Sequence, residues 1–207
     1  MTPSLKVVVA ITSPIAFHQL KNQSILLTCI KSAQLFVASV SGSHLAIAGI
    51  AEDLAQVSDI DCEKLVCDPN NPSELAAAIK NGTAADLVIV HDSQRPLTQQ
   101  AQFERVYAAL TSEIDAVRPV SPFTETLKSI DANNFIDETI DRTSMMRIST
   151  PELIRYNAID FDGSASTWFV PLKSSAKTAV VDADADSARI KSEKEIELMG
   201  YLLDWNK

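Results

Sequence analysis

The feature that most constrains this chain is the alternation, from Lys6 to Val120, of short apolar runs with segments of helical periodicity. The runs Lys6–Ile11, Leu45–Ile50, Lys64–Cys67, Asp86–His91 and Asp115–Val120 have the length and content of buried strands. The segments between them start like helices. Ser24 precedes Ile25, Leu26, Cys29 and Ile30, and Asn71-Pro72-Ser73-Glu74 supplies an N-cap, a proline at the first helical position and an acid at the third. Thr98 opens a segment whose Phe103, Val106, Tyr107 and Leu110 share one helical face. Ser192 with Glu195 forms a capping box for a last helix with Ile196, Met199 and Leu203 facing inward. Such alternation marks a mostly parallel sheet covered by helices. The expected fold is therefore α/β, a Rossmann-like twisted sheet with helices on both faces. With 207 residues, no repeat and no long linker, one domain over 1–207 is expected.

The stretch 125–142 breaks the pattern. After Thr126-Leu127-Lys128 comes the turn-rich Ser129-Ile130-Asp131-Ala132-Asn133-Asn134-Phe135, flanked by strand-like residues. It reads as a protruding β-arm. Its apolar Ile130, Phe135, Ile136 and Ile140 need cover, and a homodimer formed through exchanged arms provides it.

A net charge of −9 argues against nucleic-acid binding, which needs a basic face to displace counterions. A small anionic substrate is still allowed, because a local cluster of Arg and Lys can hold it. Cys29, Cys62 and Cys67 are few and lack CxxC spacing, which fits a reducing compartment and gives no zinc signal. The first apolar run is too short for a signal segment or a bilayer span, so a cytoplasmic location without membrane association is expected.

In open parallel sheets ligands bind beyond the carboxyl ends of the strands. His91-Asp92-Ser93-Gln94-Arg95-Pro96 leaves a strand at such an end. Asp92 there is able to hold a divalent cation against a triphosphate, or to cap the next turn. Arg142 is able to grip a phosphate through two parallel hydrogen bonds, or to sit in a surface ion pair. Thr150, followed by Pro151, reads as a residue at a helix N-terminus, either binding an anion or capping the helix. The acidic run Asp182-Ala183-Asp184-Ala185-Asp186, with Arg189 and Lys191 after it, offers a second carboxylate or a solvated loop.

These pieces occur in a recognisable order. Val90-His91-Asp92-Ser93-Gln94-Arg95-Pro96 resembles the V-H-D-A-A-R-P motif of the methylerythritol-phosphate and ribitol-phosphate cytidylyltransferases. Pro119-Val120 with Thr126-Leu127-Lys128 is similar to the P-V…D-T-x-K that leads into their dimer arm. Asp141-Arg142 with Thr150-Pro151 is similar to their D-R…T-P, and Asp186-Ser187-Ala188-Arg189 stands where they have D-N-I-K. The resemblance implies a nucleotidyltransferase joining CTP to a sugar-alcohol phosphate, methylerythritol 4-phosphate first among them, in isoprenoid precursor synthesis. It implies Mg²⁺ held by Asp92 and Asp186. It also implies an acceptor phosphate bound by Thr126 and Arg142 of a neighbouring arm together with Thr150. Arg142 and Arg189 would then aim that phosphate at the α-phosphorus of CTP.

The nucleotide side departs from the family. Where its members have A-A-G-x-G-x-R and then P-K-Q, this chain has Ile11-Thr12-Ser13-Pro14-Ile15-Ala16, and its first glycine is Gly42. Ile15 stands at the Lys position and the loop Arg is deleted. Lys6, His18 and Lys21 are the candidate substitutes, Lys21 first. Pro72-Ser73-Glu74 stands near the family's R-x-D-S without its Arg, and Ser164-Ala165-Ser166-Thr167-Trp168 gives no counterpart to its T-D-E-A. Two readings follow: a cytidylyltransferase with impaired activity, or a catalytically inactive homologue acting as a phosphate-ligand-binding or regulatory dimer.

Overall fold

The computed structural model describes residues 3–163 and 169–205, so Ser164–Trp168 lies outside the described residues. The first half runs β1 (Leu5–Ala10), β2 (Gln19–Leu20), β3 (Gln23–Ser24), α1 (Ile25–Ser39), β4 (Ser43–Gly49), α2 (Ala51–Ala55), β5 (Glu63–Val66), α3 (Pro72–Asn81) and β6 (Leu87–Asp92). The second continues with α4 (Gln100–Ala108), β7 (Ala116–Pro122), β8 (Leu127–Ile130), β9 (Ile136–Ile140), β10 (Met146–Ile148), β11 (Glu152–Arg155), β12 (Thr178–Asp182) and α5 (Glu193–Trp205). All five strands expected from the apolar runs are present.

Eight strands form the main sheet in the order β10-β7-β11-β6-β1-β4-β5, with β12 also paired to β7. The pairs β1–β4, β1–β6, β4–β5 and β12–β7 are parallel, as expected for this class. The sequence reading contains no strands at β10, β11 or β12. β11 runs antiparallel between β6 and β7, and β10 antiparallel to β7. Thr150 is accordingly not at a helix N-terminus. It leads through a cis peptide to Pro151 into β11, whose Leu153 and Ile154 fill the gap between two strands.

Strand periodicity divides the core. Leu5, Val7 and Val9 of β1 face α1 and α4 with Ile30, Phe36 and Phe103, while Val8 and Ala10 face α3 with Leu75 and Ile79. Lys6 falls on the second face and is almost wholly buried, paired with Glu63 at 3.1 Å. Phe36 stacks on Phe103 with ring centroids 5.4 Å apart, locking α1 to α4.

The expected helix starts hold with two adjustments. The Ser24 hydroxyl accepts the Leu27 N–H, and the Asn71 side chain accepts those of Ser73 and Glu74. Helix α4 starts after a buried Thr98, with Gln99 ahead of it. At α5 the Glu195 carboxylate accepts from the Lys191 N–H instead of that of Ser192. Met199 is buried and Ile196 and Leu203 pack on the same cluster, as the periodicity requires.

Strands β8 and β9 form a separate two-stranded sheet, the arm. Its turn is fixed by the Asp131 carboxylate, which accepts the N–H groups of Asn133 and Phe135 at 2.8 and 2.9 Å. Asn134 takes the left-handed conformation that closes it (φ 64°). Ile130, Phe135 and Ile136 stand exposed.

Register sets the site. Ala10 pairs with Asp92, so β1 and β6 end together and Thr12 reaches Asp92. Because β11 is antiparallel, its first residues meet the same edge, with Glu152 opposite Val90. Asp182 and Ile148 both align with Val120, which brings the loop after β12 and the end of β10 there too.

Candidate active site

Asp92 is the hub of this edge. It has no solvent exposure, and both carboxylate oxygens are engaged. Oδ1 lies 2.8 Å from the Thr12 hydroxyl and accepts the Gln94 N–H at 3.0 Å. Oδ2 accepts from Arg189 Nε at 2.6 Å. A second guanidinium nitrogen of Arg189 donates to Gln94 Oε1 at 2.6 Å and to Thr12 Oγ1 at 3.2 Å. The Asp92 backbone N–H donates to Thr150 Oγ1 at 3.1 Å, and the same hydroxyl lies 3.1 Å from His91 Nδ1. Burial pushes the His91 imidazole down to about 4 against the pull of Asp92, so it is neutral at pH 7.

The loop after β12 is fastened over these strand ends. Ile190 N–H donates to the Gln94 carbonyl at 2.8 Å, Gln94 Nε2 donates back to the Ile190 carbonyl, and Arg95 donates to the Ser187 carbonyl at 2.6 Å. A groove of about 590 Å³ opens beside this seam. Arg95, Arg147, Arg189 and Lys191 line it, with Ser121, Ser149 and Ser187. Burial lowers the Arg95 guanidinium to about 10; Arg189 and Arg147 push the same way and Asp92 opposes. Arg95 is still protonated at pH 7, and an anion in the groove would relieve the crowding of three guanidinium groups. Arg147 is a groove residue that the sequence does not single out, and Lys191 stands out there only as a cation following the acidic run 182–186. Arg147 looks like an ordinary surface charge until β10 and the loop after β12 converge. Arg95 was visible within the 90–96 motif, without a role.

The structure separates the remaining candidates. Thr150 is fully buried behind Asp92, where its hydroxyl accepts from the Asp92 backbone N–H. Thr126 is exposed at the foot of the arm. Arg142 donates to the Thr124 carbonyl and lines a second, smaller cavity with Pro122, Phe123, Thr124, Met145 and Met146. Asp186 lies in a half-buried turn and does not line the groove, whereas Asp184 does while also pairing with Arg105 on α4.

On the nucleotide side, residues Pro14–Phe17 form one 3-10 turn. Ile15 packs on the apolar cluster of Leu20, Ile25, Leu97, Ile190 and Met199. None of the substitute cations serves this loop. Lys6 is buried in its pair with Glu63, Lys21 is paired to Asp204 at 2.8 Å, and His18 lies 3.8 Å from Glu193.

The donor set does not fit a divalent cation at Asp92. An ion there must displace Arg189 or sit beside it. Two unit positive charges about 4 Å apart repel by about 4 kcal/mol at an effective dielectric constant of about 20, and a divalent ion doubles that. Among the described residues no three of His, Cys, Asp and Glu converge to hold a metal.

Comparison with known proteins agrees with this layout. A stretch of 121 residues, 55% of this chain, is 33% identical to 31% of the length of the bifunctional enzyme IspD/IspF of Rhodospirillum rubrum. The 2-C-methyl-D-erythritol 4-phosphate cytidylyltransferase of Rhodococcus jostii is 34% identical over 103 residues, 45% of this chain and 46% of its own. The chain thus spans less than half the length of these relatives. Among solved structures, 4-diphosphocytidyl-2C-methyl-D-erythritol synthase from Anaerococcus prevotii superposes with a TM-score of 0.79 at 16% identity, covering 97% of this chain and 98% of that one. The 2-C-methyl-D-erythritol 4-phosphate cytidylyltransferase of Thermus thermophilus gives 0.70 at 18% identity, covering 99% and 100%. Residues 9–164 match the family described as IspD, 2-C-methyl-D-erythritol 4-phosphate cytidylyltransferase, and with the strand-end motif and the arm in their places, the chain belongs to that family.

Proposed function

We propose that this chain is a cytidylyltransferase-like protein that binds a sugar-alcohol phosphate, methylerythritol 4-phosphate first, and transfers cytidylyl groups from CTP at an impaired rate. The observation that carries this reading is the convergence of Arg95, Arg147, Arg189 and Lys191 on one groove at the carboxyl edge of the sheet. In the proposed reaction an acceptor phosphate oxygen attacks the α-phosphorus of CTP. That P–O bond forms as the bond to the bridging α–β oxygen breaks, and pyrophosphate leaves. The attacking oxygen is already anionic, so positioning and charge neutralisation are what the chain must supply. Arg95 and Arg189 hold and aim the acceptor, and Arg147 and Lys191 close the groove rim. No step here runs through the Mg²⁺ that the resemblance implies at Asp92 and Asp186, because Arg189 already neutralises Asp92.

Impairment follows from the loop. Losing one preorganised charge donor in such a site typically costs ~10²–10³ in rate, and Ile15 with the missing Arg removes two. A second reading, a catalytically inactive homologue acting as a phosphate-ligand-binding or regulatory dimer, is favoured by the same 3-10 turn at Pro14–Phe17.

The exposed Ile130, Phe135 and Ile136 support a homodimer formed through the arm, with Thr126 and Arg142 serving the neighbour's groove. One domain over 1–207 and a cytoplasmic location complete the proposal; among the described residues no helix is long and apolar enough to cross a membrane. The test is ³¹P NMR of methylerythritol 4-phosphate titrated with the protein, run beside sedimentation. Shifted, broadened resonances and a dimer that becomes monomeric on deletion of Ser129–Thr139 are expected. An unperturbed spectrum would contradict the reading, and a wild-type monomer would remove Arg142 from the neighbour's site.

A further inference from the structure

We infer that Arg189 is the resident cation of this site, so that the groove takes its phosphate-bearing ligand without a divalent ion. Three observations lead there. First, the Arg189 guanidinium already performs the electrostatic task of a metal on Asp92, at 2.6 Å from Oδ2, while Thr12 and the Gln94 N–H saturate Oδ1. Second, the guanidinium is preorganised. Gln94 accepts from it at 2.6 Å and also clamps the next residue, Ile190, through two hydrogen bonds, and the Ile190 side chain is fully buried. An arginine fixed in this way needs no rearrangement to meet an anion. Third, Arg189 lines the groove while holding Asp92, so one face of its charge neutralises the buried carboxylate and another is presented to ligand.

A strongly hydrated divalent ion is at a disadvantage here on both counts. The Asp92 carboxylate is already engaged, the two carboxylates that line the groove, Asp184 and Glu195, accept from Arg105 and from the Lys191 N–H, and a fixed positive charge sits where the ion would enter. The inference concerns the site's cation and holds whichever phosphate the groove accepts. Failure to bind methylerythritol 4-phosphate would remove the proposed function and leave this inference standing.

The test uses Mn²⁺ alone as the probe, titrated into the full chain and followed by the EPR signal of free Mn²⁺. Wild type is expected to show no saturable site. Arg189→Ala, which frees Asp92 Oδ2, is expected to bind Mn²⁺ at least about tenfold more tightly than wild type, since the buried carboxylate then keeps only the more distant Arg95, 4.0 Å away, as counter-charge. Arg189→Gln keeps a donor for Asp92 without the charge. It carries the same measurement should Arg189→Ala fail to fold by circular dichroism. A second arm compares the binding of inorganic phosphate to wild type in EDTA and in Mg²⁺, with equal affinity expected. Saturable Mn²⁺ binding by wild type that Asp92→Asn abolishes would overturn the inference whatever the variants do. So would folded Arg189 variants that gain no Mn²⁺ site, or phosphate binding that requires Mg²⁺.

Discussion

The two sides of Asp92 present opposite chemistry. On the groove side, Arg95, Arg147, Arg189 and Lys191 converge from a strand end, an edge strand and a fastened loop. On the loop side, the chain between β1 and α1 turns inward. Ile15 joins an apolar cluster, and Lys21 and His18 face acids on the C-terminal helix. Both sides rest on the same strand ends and share Thr12, Asp92 and Gln94. A site for a phosphate and a site for a triphosphate make different demands on such an edge. The first needs a few cations held by side-chain geometry, whereas the second also needs backbone N–H groups in a glycine-permitted wrap.

The largest expected effect lies at the shared hub. Asp92→Ala strands Arg189 beside Gln94 and Thr12, and breaking a buried pair in this way costs about 3–5 kcal/mol. Arg189 is partly exposed, so the lower end applies. Urea denaturation should show that loss of stability, and an unchanged midpoint would mean that Asp92 does not join the two sides.

Next is the support beneath the hub. The folded His91 pKa, about 4, lies below its ordinary value of 6.5, so the unfolded chain binds the extra proton first as pH falls. The stability from keeping His91 neutral is fully present above 6.5 and is lost as pH falls toward 4, about 3 kcal/mol in all. Thermal melting across that window should show the decline, and His91→Gln should flatten it. A wild-type stability that rises on acidification through this range would contradict the sign.

Smaller and more selective is the groove. Arg95→Ala should weaken methylerythritol 4-phosphate binding by roughly 10–100-fold, the range for a charge-assisted hydrogen bond. CTP affinity should stay nearly unchanged. Equal losses for both ligands would merge the two sides into one site. Arg142→Ala sharpens the same contrast from the arm, with weaker acceptor binding and the same CTP affinity expected.

The smallest expected effect is on turnover in Ile15→Lys. A lone ammonium placed against Leu20, Ile25 and Met199 has no backbone cradle to work with. Pyrophosphate release should not rise above the wild-type level; a clear gain would show that the loop lacks only charge.

Much of the fold was legible because its parallel strands are continuous apolar runs. Val7–Ala10 and Leu87–Val90 are buried on both faces, and such strands announce themselves. β11 was not legible. It offers two buried apolar residues between a buried Glu152 and a half-exposed Arg155, too few for a period, and only the gap between β6 and β7 makes it a strand. The site divides in the same way. Asp92 and Arg189 were found through a family order of motifs, but their pairing across 97 residues leaves no local mark. Thr150 reads from the sequence as a hydroxyl at a helix N-terminus. Its hydroxyl instead serves the backbone of a neighbouring strand.

The central claim is that the acceptor side persists while the nucleotide side has closed. Calorimetric titration of one preparation with methylerythritol 4-phosphate and, separately, with CTP and Mg²⁺ tests it most directly. The account predicts measurable acceptor binding that Arg142→Ala weakens, and CTP binding in the millimolar range, about −4 kcal/mol. Micromolar CTP affinity accompanied by turnover of the unmodified protein would contradict it.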